Sequence, residues 1–531
     1  MKAFLMYRDR DFDPTQLLSR RERQLRSRTL DHSLDLKQML PSNEAALVQD
    51  LDLQVLFNAM AIGDHFLFEV AKVALLSCLE SPDAILYRQR VMKDCLQYEA
   101  VVREIYQISI EAILEEKKHY WSSNSRYPAG TLYQAVNILQ MFVVKLEKLR
   151  RIADRFYDQF RSEGFSNLFS MLRSELDDNY FTMISNHLNR LKFRRGVLVS
   201  GNLGRGNKGS NYVLRKSLHE DLNWISRLIK GSSGYTYQLH PRDDAGARAL
   251  SELRNQGVNL VANALAQSTD HILSFFQMLR TELAFYVGCL NLRQHLNELQ
   301  EPICFPLPLP YGERKWAFVG LYDVCLALTR KQKVIGNNLD VDNKDLIVIT
   351  GANSGGKSTF LRSLGLSQLM MQSGMFVTAE RFSTEIRAAL FTHYRREEDV
   401  SMESGKLDEE LRRMNEIINK LSPKSMVLFN ESFAATNERE GSEIAMHITS
   451  ALLKSGVKVS FVTHLHEFAS KLHAKKTPNA IFLRAERLAD GKRTFRLIEG
   501  EPLRTSYGKD LYDAAFNPEP MRSLPPVPLN D

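Results

Sequence analysis

One nine-residue stretch constrains this chain more than any other. Gly351-Ala-Asn-Ser-Gly-Gly-Lys-Ser-Thr359 follows a nearly continuous apolar run, Leu346-Ile-Val-Ile-Thr350, and opens a helix-forming segment from Phe360 to Met371. The pattern G-x-x-x-x-G-K-[ST] between a strand and a helix is that of a phosphate-binding loop (P-loop). There, backbone N–H groups and the helix N-terminus converge on an anion without needing side chains. A strand this apolar is covered on both faces, which predicts a parallel sheet and an α/β region. Gly351, Asn353, Ser354, Gly355, Gly356, Lys357, Ser358 and Thr359 are the nucleotide-binding candidates. Lys357 is expected to reach the β- and γ-phosphates of ATP, and the Ser358 hydroxyl to ligate Mg²⁺.

Two further apolar runs read as neighbouring strands. Met426-Val-Leu-Phe-Asn-Glu431 ends in a polar pair, placed as such enzymes place an acid beside Mg²⁺ and the attacking water. Asn430 and Glu431 are therefore metal candidates, and Glu431 is also the candidate to polarise water. A surface carboxylate closing a strand is the alternative. Val457-Lys-Val-Ser-Phe-Val-Thr463 precedes His464, either a γ-phosphate sensor or a structural histidine. Between loop and acid, Ser404-Gly405 stands before a helical stretch in an acidic segment. Its hydroxyl and free N–H groups could complete a partner subunit's site, or merely cap a helix.

The first 300 residues read mostly as helix. Leu53, Leu56, Phe57, Met60 and Ala61 recur at helical spacing, as do Val136, Ile138, Leu139, Phe142, Val143 and Leu146. Long helical runs are expected over 128–162, 165–194 and 243–298, well beyond the usual length of about 11–12 residues. A Gly/Asn-rich stretch at 196–215 interrupts them as a hairpin, and Tyr235–Leu239 is a candidate third strand. Arg205, Lys208, Arg215 and Lys216 stand there among other cations, and either bind a nucleic-acid backbone or belong to a solvated loop. The net charge of +7, from 70 Lys and Arg against 63 Asp and Glu, permits a nucleic-acid partner without requiring one. The five scattered cysteines form no CxxC pair, which disfavours disulfides or zinc and points to a reducing cytoplasm. No segment is long and apolar enough for a membrane span, nor does the N-terminus read as a signal peptide.

Taken in order, Thr350–Thr359, Met371-Gln-Ser-Gly-Met-Phe-Val377, Phe429-Asn-Glu-Ser432, Thr463-His464 and Ser506-Tyr-Gly508 closely resemble the ATPase domain of MutS proteins, the ABC-type ATPases of DNA mismatch repair. Asp52-Leu-Gln-Val-Leu-Phe-Asn-Ala-Met60 and the later helices resemble that family's core and lever more weakly. The resemblance implies ATP and Mg²⁺, a homodimer sharing its two nucleotide sites, and ATP-controlled grip on DNA. By position it adds Asn337 and Gln372 to the nucleotide site and gives Ser404 and Gly405 the trans signature role. Joined to the reading of the residues, it gives an α plus α/β architecture: a helical core and lever (1–312) into which the basic hairpin near 196–239 is inserted, a P-loop ATPase domain (313–515) and a tail (516–531) whose prolines predict disorder. Three departures stand out. The only Phe-x-Glu is Phe429-Asn-Glu431, inside a strand, and too few residues precede the core for a mismatch-reading domain with its connector, so mismatch reading is not expected. The family's Asp-Glu pair is here Asn430-Glu431. Its Gly-Arg-Gly-Thr is Phe433-Ala-Ala-Thr436.

Overall fold

A computed structural model describes residues 1–12, 40–121, 127–193, 196–215, 237–396, 405–477, 479–488 and 491–503. The expectations for Ser404, Lys216, Ser506–Gly508 and the tail at 516–531 fall outside these residues. The chain divides into two compact units, one from 1–13 with 94–283 and the other from 14–93 with 284–531.

The first unit is helical. The apolar stripe from Leu132 to Ile152 buries one face of the helix Pro128–Phe156, as its spacing requires. Where the sequence predicts one helix over 165–194, two form, Glu163–Glu175 and Asp178–Arg190. The break has a local cause: the Asp177 carboxylate accepts from the Tyr180 N–H at 2.7 Å, an N-cap that restarts the helix. Ser162 caps the preceding one in the same way. Glu282, fully buried on the helix Asp244–Glu298, accepts N–H groups of Leu5, Met6 and Phe12 and so ties down the N-terminal segment. The expected hairpin forms from β1 (Leu198–Leu203) and β2 (Gly209–Arg215), antiparallel, with Val199 against Gly257 of that long helix. Tyr237 to Leu239 form no strand.

The second unit is built on sheets. A four-stranded mixed sheet contains β3 (Leu307–Leu309), β4 (Trp316–Leu321), β5 (Asn337–Asp340) and β7 (Arg381–Glu385), in the order β3-β7-β4-β5. A six-stranded sheet contains β6 (Leu346–Gly351), β8 (Leu390–Tyr394), β9 (Met426–Asn430), β10 (Lys458–Val462), β11 (Ala480–Arg487) and β12 (Arg493–Glu499), in the order β12-β11-β6-β10-β9-β8. All neighbours in it are parallel except β12, which returns antiparallel along β11. β6 is buried at every residue, which is why it reads as a nearly continuous apolar run; β10 is equally buried although it carries Lys458 and Ser460. Phe429 stacks on Phe461, and Phe468 of the helix His466–Ala474 packs tilted against Phe461, filling the layer between that helix and β9 and β10. Residues 43–61 belong to this unit although they come early in sequence. Leu51 fills the space over Gly365, and the Arg362 guanidinium bridges Asp52 and Asp323. No described helix is long and apolar enough to cross a membrane.

Candidate functional site

The site follows from strand order. β10 lies between β6 and β9, and Val462 pairs with Ile349 on one side and Asn430 on the other. The carboxyl ends of three adjacent parallel strands therefore coincide, and in open α/β sheets ligands bind in the crevice outside such ends. Each strand delivers its candidates there: the glycine-rich loop after β6, Asn430 and Glu431 from β9, His464 after β10.

The loop needs its glycines for space and for backbone angle. Gly351 has φ +109°, and a Cβ there would sit 2.9 Å from the Ala485 backbone nitrogen on β11. Gly356 has φ +88° and starts the helix Lys357–Gln372 without a side-chain cap, so the first N–H groups of that helix face the loop. Lys357 is buried and donates to the carbonyls of Gly351 (3.0 Å) and Ala352 (2.9 Å). Burial holds its ammonium below the ordinary lysine range, with nearby Glu431 pulling the other way. Ser358 Oγ donates to Asn430 Oδ1 at 2.9 Å, joining the loop helix to the end of β9. Glu431 Oε1 lies 3.0 Å from His464 Nε2, and that hydrogen bond holds the carboxyl below the usual carboxylate range.

Asn337 is also at the site. Its amide accepts from Leu497 N–H at 2.7 Å and reaches the Phe495 carbonyl, and the same carbonyl lies 3.5 Å from where a Gly356 Cβ would stand. The position expected for Gln372 needs correction. It closes the far end of the 16-residue helix, about 22 Å of axial rise from Lys357. There it is buried, donating to the carbonyls of Leu79 and Arg387 and accepting from Arg387 N–H. A glutamine that anchors three backbone groups in the core is out of reach of the loop. Gly405 is the N-cap of the helix Lys406–Ile418, with open space around it.

Among the described residues no His, Cys, Asp and Glu cluster could hold a metal by itself. The oxygens of Ser358, Asn430 and Glu431 nevertheless suit a hard cation that takes few protein ligands and completes its shell with phosphate and water. That fit rests on the Ser358–Asn430 contact and on Glu431 following directly in the chain.

A family model described as MutS2 N-terminal domain matches residues 80–299, and one described as MutS domain V matches residues 347–523. Together they account for most of the chain. The chain belongs to the MutS family. Among its MutS relatives, the DNA mismatch repair protein MutS of Prochlorococcus marinus (strain MIT 9301) is 26% identical over 57% of this chain and 33% of its own length. That of Thermotoga maritima is 33% identical over 35% of this chain and 24% of its own length. The endonuclease MutS2 of Streptococcus agalactiae serotype III is 25% identical over 89% of this chain and 58% of its own length. The chain thus spans between a quarter and three-fifths of these relatives. Every site candidate except Asn337 lies within the MutS domain V match, and the hairpin cations lie within the MutS2 N-terminal match.

Three residues of this MutS-family site carry no signal in the sequence. Phe495, half exposed at φ +60°, stands beside Gly356. Arg493 donates to the Asn353 carbonyl at 2.7 Å, and Arg395 lies 3.9 Å from Glu431. No motif marks them, because strand pairing brings them to the loop.

Proposed function

We propose that this chain is a MutS-like ATP-dependent DNA-binding protein, hydrolysing ATP at an interface shared by two copies so as to gate its hold on DNA in repair or recombination. The observation that carries this reading is the convergence of Lys357, Ser358, Asn430, Glu431 and His464 at one edge of a parallel sheet. In it, the loop N–H groups and Lys357 bind the phosphates, while Asn337 and Phe495 face the rest of the nucleotide. Ser358, Asn430 and Glu431 would hold Mg²⁺, which when bound neutralises charge between the phosphates. Glu431 orients the attacking water, which requires it to part from His464. The freed imidazole then faces the γ-phosphate. Ser404 and Gly405 serve the partner's nucleotide. The DNA arm draws on the relatives' names and on the hairpin cations, and reading of mismatches is no part of it. Measuring ATPase activity with duplex, branched and mismatched DNA, and with ribosomes, tests the reading. Stimulation by ribosomes alone would redirect it.

A second reading is an ATP-switched clamp with little turnover. Asn430 favours it, because a neutral amide stands where the family carries a carboxylate. Replacing Asn430 with Asp keeps the acceptor for Ser358 and adds a negative charge beside the metal position. Turnover should rise, or the Mg²⁺ concentration for half-maximal activity should fall. A drop in both binding and turnover would mean that the amide is needed as it is.

The hairpin offers an independent test. Arg205, Lys208 and Arg215 are exposed, Arg215 donating to Ser200 at 2.8 Å. Changing these three and Lys216 to Ser should leave Tm nearly unchanged while weakening DNA binding for all sequences alike. The log K against log salt slope should become shallower by about 0.9 for each duplex phosphate that the variant no longer neutralises. Anisotropy across a salt series measures it. Equal slopes for parent and variant would assign the hairpin to solvent.

A further inference from the structure

The turn that carries Glu431 is built on two residues in the left-handed region. Glu431 has φ +54° and Phe433 has φ +63°, with Ser432 between them. A side chain with a Cβ rarely adopts this conformation, and it persists only where the surroundings over-determine it. Phe433 is fully buried, so no water or loop freedom relieves it. The turn also packs on Phe429 and hangs from the Val462 carbonyl through the Glu431 N–H, while His393 of β8, itself fully buried, meets both Ser432 and Phe433. Its ring stacks on Phe433 with centroids 5.3 Å apart and planes 20° apart. Its Nδ1 is 2.8 Å from Ser432 Oγ, and its Nε2 is 3.0 Å from the Glu410 carbonyl. Ser432 Oγ also reaches the carbonyl of His393 at 2.6 Å.

The proton positions follow from the partners. The Glu410 carbonyl can only accept, so Nε2 carries the hydrogen. Burial keeps the ring neutral, pushing its pKa down to about 4. The single hydrogen of the Ser432 hydroxyl has two acceptors in reach, Nδ1 and the His393 carbonyl, and is shared between them as a three-centre bond. One imidazole thus fixes the turn by a ring stack and a hydrogen bond, and through Glu410 it fixes the turn to the helix Lys406–Ile418.

We propose that His393 is the positioning residue for Glu431: by stacking on Phe433 and accepting from Ser432 it holds the left-handed turn that aims the carboxylate into the nucleotide site. The role rests on the reading of Glu431 as the residue that orients water. The two fail differently. A parent protein without Mg²⁺-dependent ATP hydrolysis sinks the reading of Glu431, and the positioning role with it. An active parent that is indifferent to the turn sinks the positioning role alone.

Ser432→Ala is the mildest probe, since it deletes one hydroxyl and leaves the core filled. His393→Phe keeps a ring over Phe433 without a nitrogen, and His393→Asn restores an acceptor close to Nδ1. Ser432→Ala and His393→Phe should each lower kcat by about ten- to a hundredfold, the scale of a misplaced catalytic group, with KM for ATP nearly unchanged. Combining them should cost no more than His393→Phe alone, because that variant already removes the bond to Ser432 together with the one to Glu410. His393→Asn should recover much of the kcat lost in His393→Phe. In the nucleotide-free parent, ¹⁵N NMR should find His393 protonated at Nε2 and hydrogen-bonded but unprotonated at Nδ1, and that Nδ1 signal should move in Ser432→Ala. Parent-like kcat in Ser432→Ala, additive losses in the double variant, or a proton on Nδ1 would each overturn the proposal.

Discussion

Replacing Lys357 with Ala should abolish ATP binding or turnover, lowering kcat/KM by at least about a hundredfold, the loss seen when one preorganised donor leaves an active site. Among the described residues the ammonium is the only lysine nitrogen bonded to the loop carbonyls, and it sits at the first residue of the loop helix. It ties the loop back on itself, so a phosphate in the loop has to compete with the two carbonyls for it. Losing the charged donor leaves two carbonyls without that partner, at a cost of roughly 1–3 kcal/mol. A Tm lower by a few degrees with a retained circular dichroism spectrum is the expected control. Nucleotide titration by fluorescence, beside steady-state phosphate release, separates binding from chemistry. Parent-like activity would remove this loop from the mechanism.

Glu431→Gln should produce the opposite split. The amide fills the same space and can still bond His464, while the carboxylate proposed to orient water is gone. Hydrolysis should fall by about a hundred- to ten-thousandfold, the range for loss of a general base, with nucleotide binding kept. The ATP-bound form should then accumulate, which makes this variant the one to use for the two-copy state in light scattering. Single-turnover phosphate release comparable to the parent's would transfer the water-orienting role to another group, with Arg395 and His464 the residues already in contact with that carboxylate.

How legible the molecule is depends on where the information sits in the chain. β6 and β9 are readable within a residue or so, because strands buried on both faces have no polar alternation to obscure them, and β10 is readable from Val457, Val459, Phe461 and Val462 despite its buried Lys458 and Ser460. The glycine loop is readable because its reach to phosphate comes from backbone within nine residues. The four-stranded sheet is not. β3 is Leu307-Pro-Leu309, three residues with a proline, and it is recognisable only by its pairing with Ser383–Glu385. Gln372 misleads because its motif neighbours lie close in sequence, while a straight helix carries it away from the loop. Phe495 and His393 are invisible for the same physical reason. Each acts on a residue more than thirty positions distant, across a strand pair that no local pattern announces.

The sheet order also has a consequence for synthesis. β6 lies in the middle of its sheet and is made first among β6, β10 and β11, yet both of its partners follow roughly a hundred residues or more later. At about 5–20 residues per second, a fully apolar strand leaves the ribosome roughly five to twenty seconds before any neighbour can hydrogen-bond to it. Its backbone edges are open for that whole interval, and the glycine loop behind it has no β11 wall to close against. Slow translation between residues 351 and 458 would lengthen this exposure, so synonymous codon changes there should alter the soluble yield without altering a single residue of the finished protein.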